Sequence, residues 1–236
     1  MIFMVMKKIK LTESDLYRII KQVLFEQEEE KRSFTFSPGA FASFITSSSG
    51  ERFVKHLNNK YDEIVVNGGL DLEKTQIQSL PDNLHVEGSM YLNRCKNLQS
   101  LPDNLYVGGS LDLGYTPIQS LPDNLYFEKD LDLGGTPIQS LPDNLYVEGS
   151  MYLNRCKNLQ SLPDNLYVGG YLNLHETQIQ SLPDNLYVGG YLNLDKTPIQ
   201  SLPDNLDVKG VIYIRGTPLK DNDELVAKYR KKYRIL

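Results

Sequence analysis

The pentapeptide Leu-Pro-Asp-Asn-Leu occurs seven times in this chain, beginning at Leu80, Leu101, Leu121, Leu141, Leu162, Leu182 and Leu202. Successive copies lie 21, 20, 20, 21, 20 and 20 residues apart. A fixed period of this length marks a repeat architecture, in which one short unit stacks on copies of itself. An eighth, degenerate unit precedes the others and runs from Ile64 to Ile77. A larger duplication lies over the short one: residues 85–145 and 146–206 match nearly position for position, three units each.

With Leu101 as position 1, positions 5, 7, 11 and 13 are Leu105, Val107, Leu111 and Leu113. Their alternation with polar residues is the period of a strand with one buried face. Ile118 at position 18 is the next inward residue, and Gly108-Gly109 marks a bend or bulge where no side chain fits. The prolines of Leu-Pro-Asp-Asn and Thr116-Pro117 mark corners, since proline presets a turn and cannot donate to a ladder. One such coil cannot bury its own apolar face, but a stack can, each coil pairing in parallel with the next. The expectation is a β-rich solenoid of about eight coils over residues 60–220, about 40 Å long at 4.8 Å per coil, with helical caps at both ends. Ladders such as Leu92, Leu113, Leu133, Leu153, Leu174, Leu194 and Ile214 would run through its core.

The pattern Leu-x-Leu-x-x-Thr-x-Ile-x-Ser-Leu-Pro, seen from Leu111 to Pro122, resembles the short bacterial leucine-rich repeat of secreted effectors, including ubiquitin-ligase effectors. The resemblance covers about 160 residues. It implies a partner site on the strand face, and an effector-like action on a host protein as one alternative role. The catalytic domain of the ligases carries a nucleophilic cysteine; only 16 residues follow Lys220 here and none is Cys, so that activity is not implied. The chain departs from the family at position 16, where the family has Asn and this column reads Thr75, Cys95, Thr116, Thr136, Cys156, Thr177, Thr197, Thr217. An amide ladder is therefore not available, and a rounder, β-helix-like coil is the alternative to a horseshoe.

At the C-terminus, residues 221–236 read as a capping helix: acidic Asp221 to Glu224 suit its start, and Leu225, Tyr229 and Tyr233 recur at spacing four. Residues 34–59 read as linker and N-terminal cap, with a short helix from Ser49 to Leu57 that turns Phe53, Val54 and Leu57 onto the first coil. Residues 1–33 read as an amphipathic leader helix and charged tether, with Thr12 as N-cap and Leu16, Ile19, Ile20, Val23 and Leu24 as its apolar stripe. The run Lys7 to Lys21 is similar to the starts of many uncharacterised proteins of large tailed bacteriophages. That similarity implies delivery into the virion and protease cleavage after Glu26 in Leu24-Phe25-Glu26, although Leu11-Thr12-Glu13 fits the same three-residue pattern.

The net charge of −5 argues against a nucleic-acid partner, which would call for a basic stripe, and no run of eighteen apolar residues is present to span a membrane. The N-terminus has its charge after a short apolar run, the reverse of a secretory signal. With two cysteines in the chain, a cytoplasmic location in a bacterial host cell is the expectation, the virion being the alternative. Cys95 and Cys156 share a register three coils apart, roughly 14 Å, so they read as free, buried thiols rather than a disulfide. His56, His85 and His175 form no cluster with metal-ligand spacing, and the Gly-Gly pairs lack the context of a phosphate loop. The Asp and Asn of the pentapeptide read as turn formers rather than calcium ligands. No catalytic, cofactor or metal site is expected, and the chain is expected to be a monomer with a protein partner of unknown identity.

What remains is surface. Position 6 carries Tyr106, Tyr126, Tyr146, Tyr167 and Tyr187, a row uniform enough to read as neighbours stabilising one another. Position 12 carries Asp71, Tyr91, Asp112, Asp132, Tyr152, Asn173, Asn193 and Tyr213, and position 10 adds Tyr171 and Tyr191. Positions 10, 12, 14 and 15 vary between coils, and tyrosine gives contact area at little entropic cost, so Tyr91, Asp112, Asp132, Tyr152, Tyr171, Asn173, Tyr191 and Asn193 are the expected partner site. Replacing Asp112, Asp132, Asn173 and Asn193 together is expected to abolish binding without lowering the melting temperature.

Overall fold

A computed structural model describes residues 32–143 and 145–236 of the chain. The leader helix and Glu26 fall outside the described residues. Each coil contributes two short strands to the stack, one on either side of the glycine bend. The first covers positions 6–7, as in Tyr106–Val107, and the second positions 11–12, as in Leu111–Asp112. Both pair in parallel with the equivalent residues of the next coil, Tyr106 with Tyr126 and Leu111 with Leu131. The fold is a parallel β-solenoid, as the repeat requires. The second strands form one nine-stranded sheet, and the first strands form a five-stranded and a four-stranded sheet. The ninth strand of each row lies beyond the eight repeats, at opposite ends of the stack.

The inward columns form a continuous core: Leu105, Val107, Leu111, Leu113 and Ile118 are all fully buried. Leu113 and Leu133 face the same interior from adjacent coils, where the Leu113 amide donates to Asp132 O at 2.8 Å. Glycine at the bend follows from the closeness of the coils. A Cβ on Gly108 would stand 2.3 Å from Glu87 O, and one on Gly109 2.8 Å from Ser89 N.

After the second strand the chain turns sharply. Position 15 is left-handed in every coil, with φ between 58° and 72° at Lys74, Arg94, Tyr115, Gly135, Arg155, Glu176, Lys196 and Gly216. That conformation brings the position-16 amide back to the position-13 carbonyl, as in Thr116 N to Leu113 O at 3.1 Å. The position-16 hydroxyl donates to the same carbonyl, at 2.7 Å from both Thr116 to Leu113 and Thr136 to Leu133. Threonine thus does within its own coil what an amide ladder would do between coils. Where cysteine stands instead, its thiol reaches back to the previous coil: Cys95 to Leu72 O and Cys156 to Leu133 O, both at 3.0 Å. The cysteine coils are also the 21-residue ones. Their extra residue is absorbed by a second tight turn, Leu98 N to Cys95 O at 3.2 Å, which returns Leu98 to the core.

The first row breaks once, between Tyr126–Phe127 and Tyr146–Val147. This falls on the coil most altered at its bend, where Phe127-Glu128-Lys129-Asp130 replaces Val-Gly-Gly-Ser. Lys129 stands in a column that is glycine in the other seven coils, and Phe127 puts a ring where seven coils have valine. A stack spaced for glycine and valine cannot take both unchanged. Leu125 is consequently left partly exposed and Phe127 is 8% exposed, while Val107 and Val147 are at 0%.

The N-terminal end differs from the sequence expectation. Ser33, assigned above to the tether, and residues 34–45, assigned to a linker, form strand β1 (Ser33–Phe36) and helix α1 (Pro38–Ile45). β1 pairs in parallel with β2 (Glu63–Val66), the first strand of the first coil. Helix α2 (Gly50–Lys60) supplies the expected cap, with Val54 and Leu57 buried and Phe53 packed against the core. Asn58 anchors it to the first corner, donating to Asp82 Oδ2 at 2.9 Å and accepting from Asp82 N at 3.0 Å. At the other end, helix α3 (Asp223–Tyr229) is followed by a strand, Arg234–Ile235, that completes the second row. Tyr229 Oη accepts from Leu202 N at 3.0 Å and donates to Leu202 O at 2.9 Å, and Tyr233 Oη donates to Leu206 O at 2.6 Å. The Tyr233 hydroxyl thus occupies the carbonyl that a further coil would have paired, as Leu186 O is paired by Asp207 N, and the Tyr229 hydroxyl satisfies both backbone groups of Leu202.

Candidate functional site

The second-strand row places the predicted residues side by side. Register runs from Tyr91 through Asp112, Asp132, Tyr152, Asn173 and Asn193 to Tyr213. Each points away from the core, because its neighbours at positions 11 and 13 point in. Tyr171 and Tyr191 join the row one residue before the strands, at its C-terminal half. There Tyr171, Tyr191, Asn193, Tyr213 and Arg215 line a shallow basin of ≈ 250 Å³. Tyr152 meets Tyr171 edge-on at 5.8 Å between ring centroids, and Tyr191 meets Tyr213 at 6.2 Å. Burial pushes the Tyr171 phenol above its ordinary pKa.

Two members of the basin were missing from the predicted set. Tyr213 belongs to the same column as Asn193. Arg215 stands at position 14, one of the columns that vary between coils. It is held by Asp195, which is 4% exposed: Arg215 Nε and Nη2 reach Asp195 Oδ2 at 2.8 and 2.7 Å, and Arg215 N donates to Asp195 Oδ1 at 2.7 Å. The guanidinium is thereby aimed along the sheet surface while its carboxylate partner stays under it.

The polar residues of the row have a second task. Gly114 N donates to Asp112 Oδ1 at 2.9 Å, Gly134 N to Asp132 Oδ1 at 2.7 Å, His175 N to Asn173 Oδ1 at 3.1 Å and Asp195 N to Asn193 Oδ1 at 2.9 Å. Each side chain closes the turn two residues ahead of it. The expectation that all four could be replaced without loss of stability is corrected by this geometry. Burial raises the carboxyl pKa of both Asp112 and Asp132. The amide hydrogen bonds oppose that shift, while Glu73 adds to it for Asp112 and Asp112 adds to it for Asp132. The row therefore has two halves, a carboxylate half at Asp112 and Asp132 and an aromatic and amide half from Tyr152 to Tyr213.

Beside the aromatic half, at the turn, Glu176 gathers four basic groups: Lys196 Nζ at 2.9 Å, His175 Nε2 at 3.2 Å, Arg155 Nε at 3.3 Å and Lys157 Nζ at 3.7 Å. The hydrogen bond from Lys196, with the charges around it, lowers its pKa to about 2. The position-6 rings stack along the other row, with centroids at 4.8 Å for Tyr106–Tyr126, 4.5 Å for Tyr146–Tyr167 and 4.6 Å for Tyr167–Tyr187. Cys95 and Cys156 are buried free thiols, and burial raises the pKa of both. Among the described residues no group of three or more His, Cys, Asp or Glu could hold a metal ion, and no helix is long and apolar enough to cross a membrane. No protein-family model matches the chain, and no curated protein matches it.

Proposed function

We propose that this protein is a non-catalytic protein-interaction module that binds its partner on the second-strand face. The observation that carries the reading is the basin of Tyr171, Tyr191, Asn193, Tyr213 and Arg215 at the end of a continuous outward row. It offers flat aromatic area, amide and phenol hydrogen-bonding groups and one oriented cation on a rigid sheet. A partner segment binding there is held without ordering any loop of this protein, which keeps the entropic cost of association low. The likeness of the repeat to the short bacterial leucine-rich repeat points to the same face.

Affinity capture with the intact chain and with a Tyr171→Ala/Tyr191→Ala variant tests the reading. A partner retained by the wild type is expected to be lost with the variant, whose far-UV spectrum stays unchanged. A partner held equally by both would place the interface elsewhere.

A further inference from the structure

The break in the first-strand row opens a cleft of ≈ 250 Å³ between the fourth and fifth coils. We propose that this cleft receives the guanidinium group of an arginine side chain carried by a partner protein. It lies on the opposite strand row from the basin and stands independently of the function proposed above.

Three observations converge on that chemistry. The first is an interruption in the ring stack. Tyr106 stacks on Tyr126, with His85 tilted against Tyr106, and Tyr146, Tyr167 and Tyr187 stack in a second run, but Tyr126 and Tyr146 make no ring contact. Both rings are exposed, at 51% and 60%, and both line the cleft. The second is charge. Asp123, Glu128, Asp143 and Glu148 line the same cleft, and none has a basic nitrogen within 4.0 Å among the described residues. Glu128 is aligned with the ring row by the Tyr106 hydroxyl, which donates to its Oε1 at 2.8 Å. The third is the backbone. Elsewhere in the row the coils are bonded, for example Gly169 N to Val147 O at 2.8 Å and Gly189 N to Val168 O at 2.8 Å. Tyr126–Phe127 and Tyr146–Val147 belong to separate sheets.

A flat group entering between Tyr106 and Tyr126, Tyr146 and Tyr167, or Tyr167 and Tyr187 would have to part a stacked pair of rings and break strand pairing. Between Tyr126 and Tyr146 there is neither a ring pair nor strand pairing to give up, and the two coils are joined at the bend, where Gly149 N donates to Lys129 O at 3.2 Å. Two exposed aromatic rings and unpaired carboxylates lining one cleft suit a planar cation, which stacks on aromatic faces and donates several hydrogen bonds in its own plane. A lysine ammonium is compact and strongly hydrated, and gains less from a slot. The internal duplication provides a closed counterpart. The same junction in the second copy has Val-Gly-Gly at 188–190, and its strands Tyr187–Val188 and Asp207–Val208 are paired.

The test is an NMR titration of the full chain with N-acetyl-arginine amide, its lysine analogue and its citrulline analogue, which keeps the shape without the charge. The arginine compound is expected to bind saturably at one site, the lysine compound at least fivefold more weakly, and the citrulline compound without saturation. Tyr126→Leu and Tyr146→Leu should each weaken arginine binding at least fivefold, and Tyr187→Leu should leave it unchanged. Phe127→Val/Lys129→Gly, which restores the valine and the second glycine of the closed junction, should abolish binding while the far-UV spectrum is kept. Absence of arginine binding, equal affinity for lysine, or full binding by the Phe127→Val/Lys129→Gly variant would overturn the proposal. None of these results bears on Tyr171 and Tyr191.

Discussion

Asp112 and Asp132 sit in register on adjacent strands, with both Oδ1 atoms near one point beside Gly114, at 3.2 and 3.8 Å from where a Cβ would lie. Two carboxylates about 5 Å apart repel by about 1 kcal/mol even at the dielectric constant of water. Burial raises both pKa values, with the charge of Glu73 adding to the shift at Asp112 and that of Asp112 adding to the shift at Asp132. A carboxyl whose pKa is higher folded than unfolded gives its full contribution to stability below the unfolded pKa, and that contribution is lost as pH rises through the folded value. The wild type is therefore penalised at neutral pH and not at pH 3. Asn173 and Asn193 show the remedy, since an amide oxygen in this column makes the same turn bond without charge. The double variant Asp112→Asn/Asp132→Asn should be more stable than wild type by about 1 kcal/mol at pH 7.5, or about 2–4 °C in melting temperature for a unit of this size. The advantage should vanish by pH 3, below the unfolded carboxyl pKa of about 3.9. Urea denaturation followed by far-UV circular dichroism at both pH values measures this. A variant less stable than wild type at pH 7.5 would show that the ionised carboxylates strengthen the turns more than they repel, and would refute the reasoning.

Tyr229→Phe removes both hydrogen bonds to Leu202 at the buried end of the stack and should cost about 1–3 kcal/mol in urea denaturation, since it strands a backbone donor and acceptor. Lys74 holds φ at 60°, a conformation that costs a non-glycine residue roughly 1 kcal/mol, so Lys74→Gly should raise the melting temperature despite adding a glycine.

The stack itself could be read from the chain because two signals coincide. Leu105, Val107, Leu111 and Leu113 alternate within a coil, and the pentapeptide fixes which residues of successive coils meet. Register, core columns and the outward row of Tyr91 to Asn193 follow from those two facts alone. β1 could not be read this way. Ser33-Phe34-Thr35-Phe36 alternates, but it lies outside the repeat and has no pentapeptide to place it, and the edge it pairs with exists only once the first coil is built. The left-handed turn at position 15 was equally hidden. Six of its eight residues are not glycine, so composition gives no sign of a positive φ, and the tight loop from position 13 to position 16 imposes it. The turn-closing role of Asp112, Asp132, Asn173 and Asn193 had a visible signal, Asp or Asn two residues before a bend, which selection of those positions for surface variability passed over. The departure at Phe127 and Lys129 is plain in the alignment of coils, but whether the stack absorbs it or parts is decided by packing.

The ends of the stack are stoppered by parts that are not repeats, and the coils between them share one register. Residues 85–145 and 146–206 show what this permits, since a 61-residue block has been copied whole with both stoppers left in place. Each further insertion of such a block would extend the protein by about 14 Å and carry its own strip of outward residues into line with those already present. Length and surface pattern can thus change together in one genetic step, so the architecture behaves as an extensible ruler.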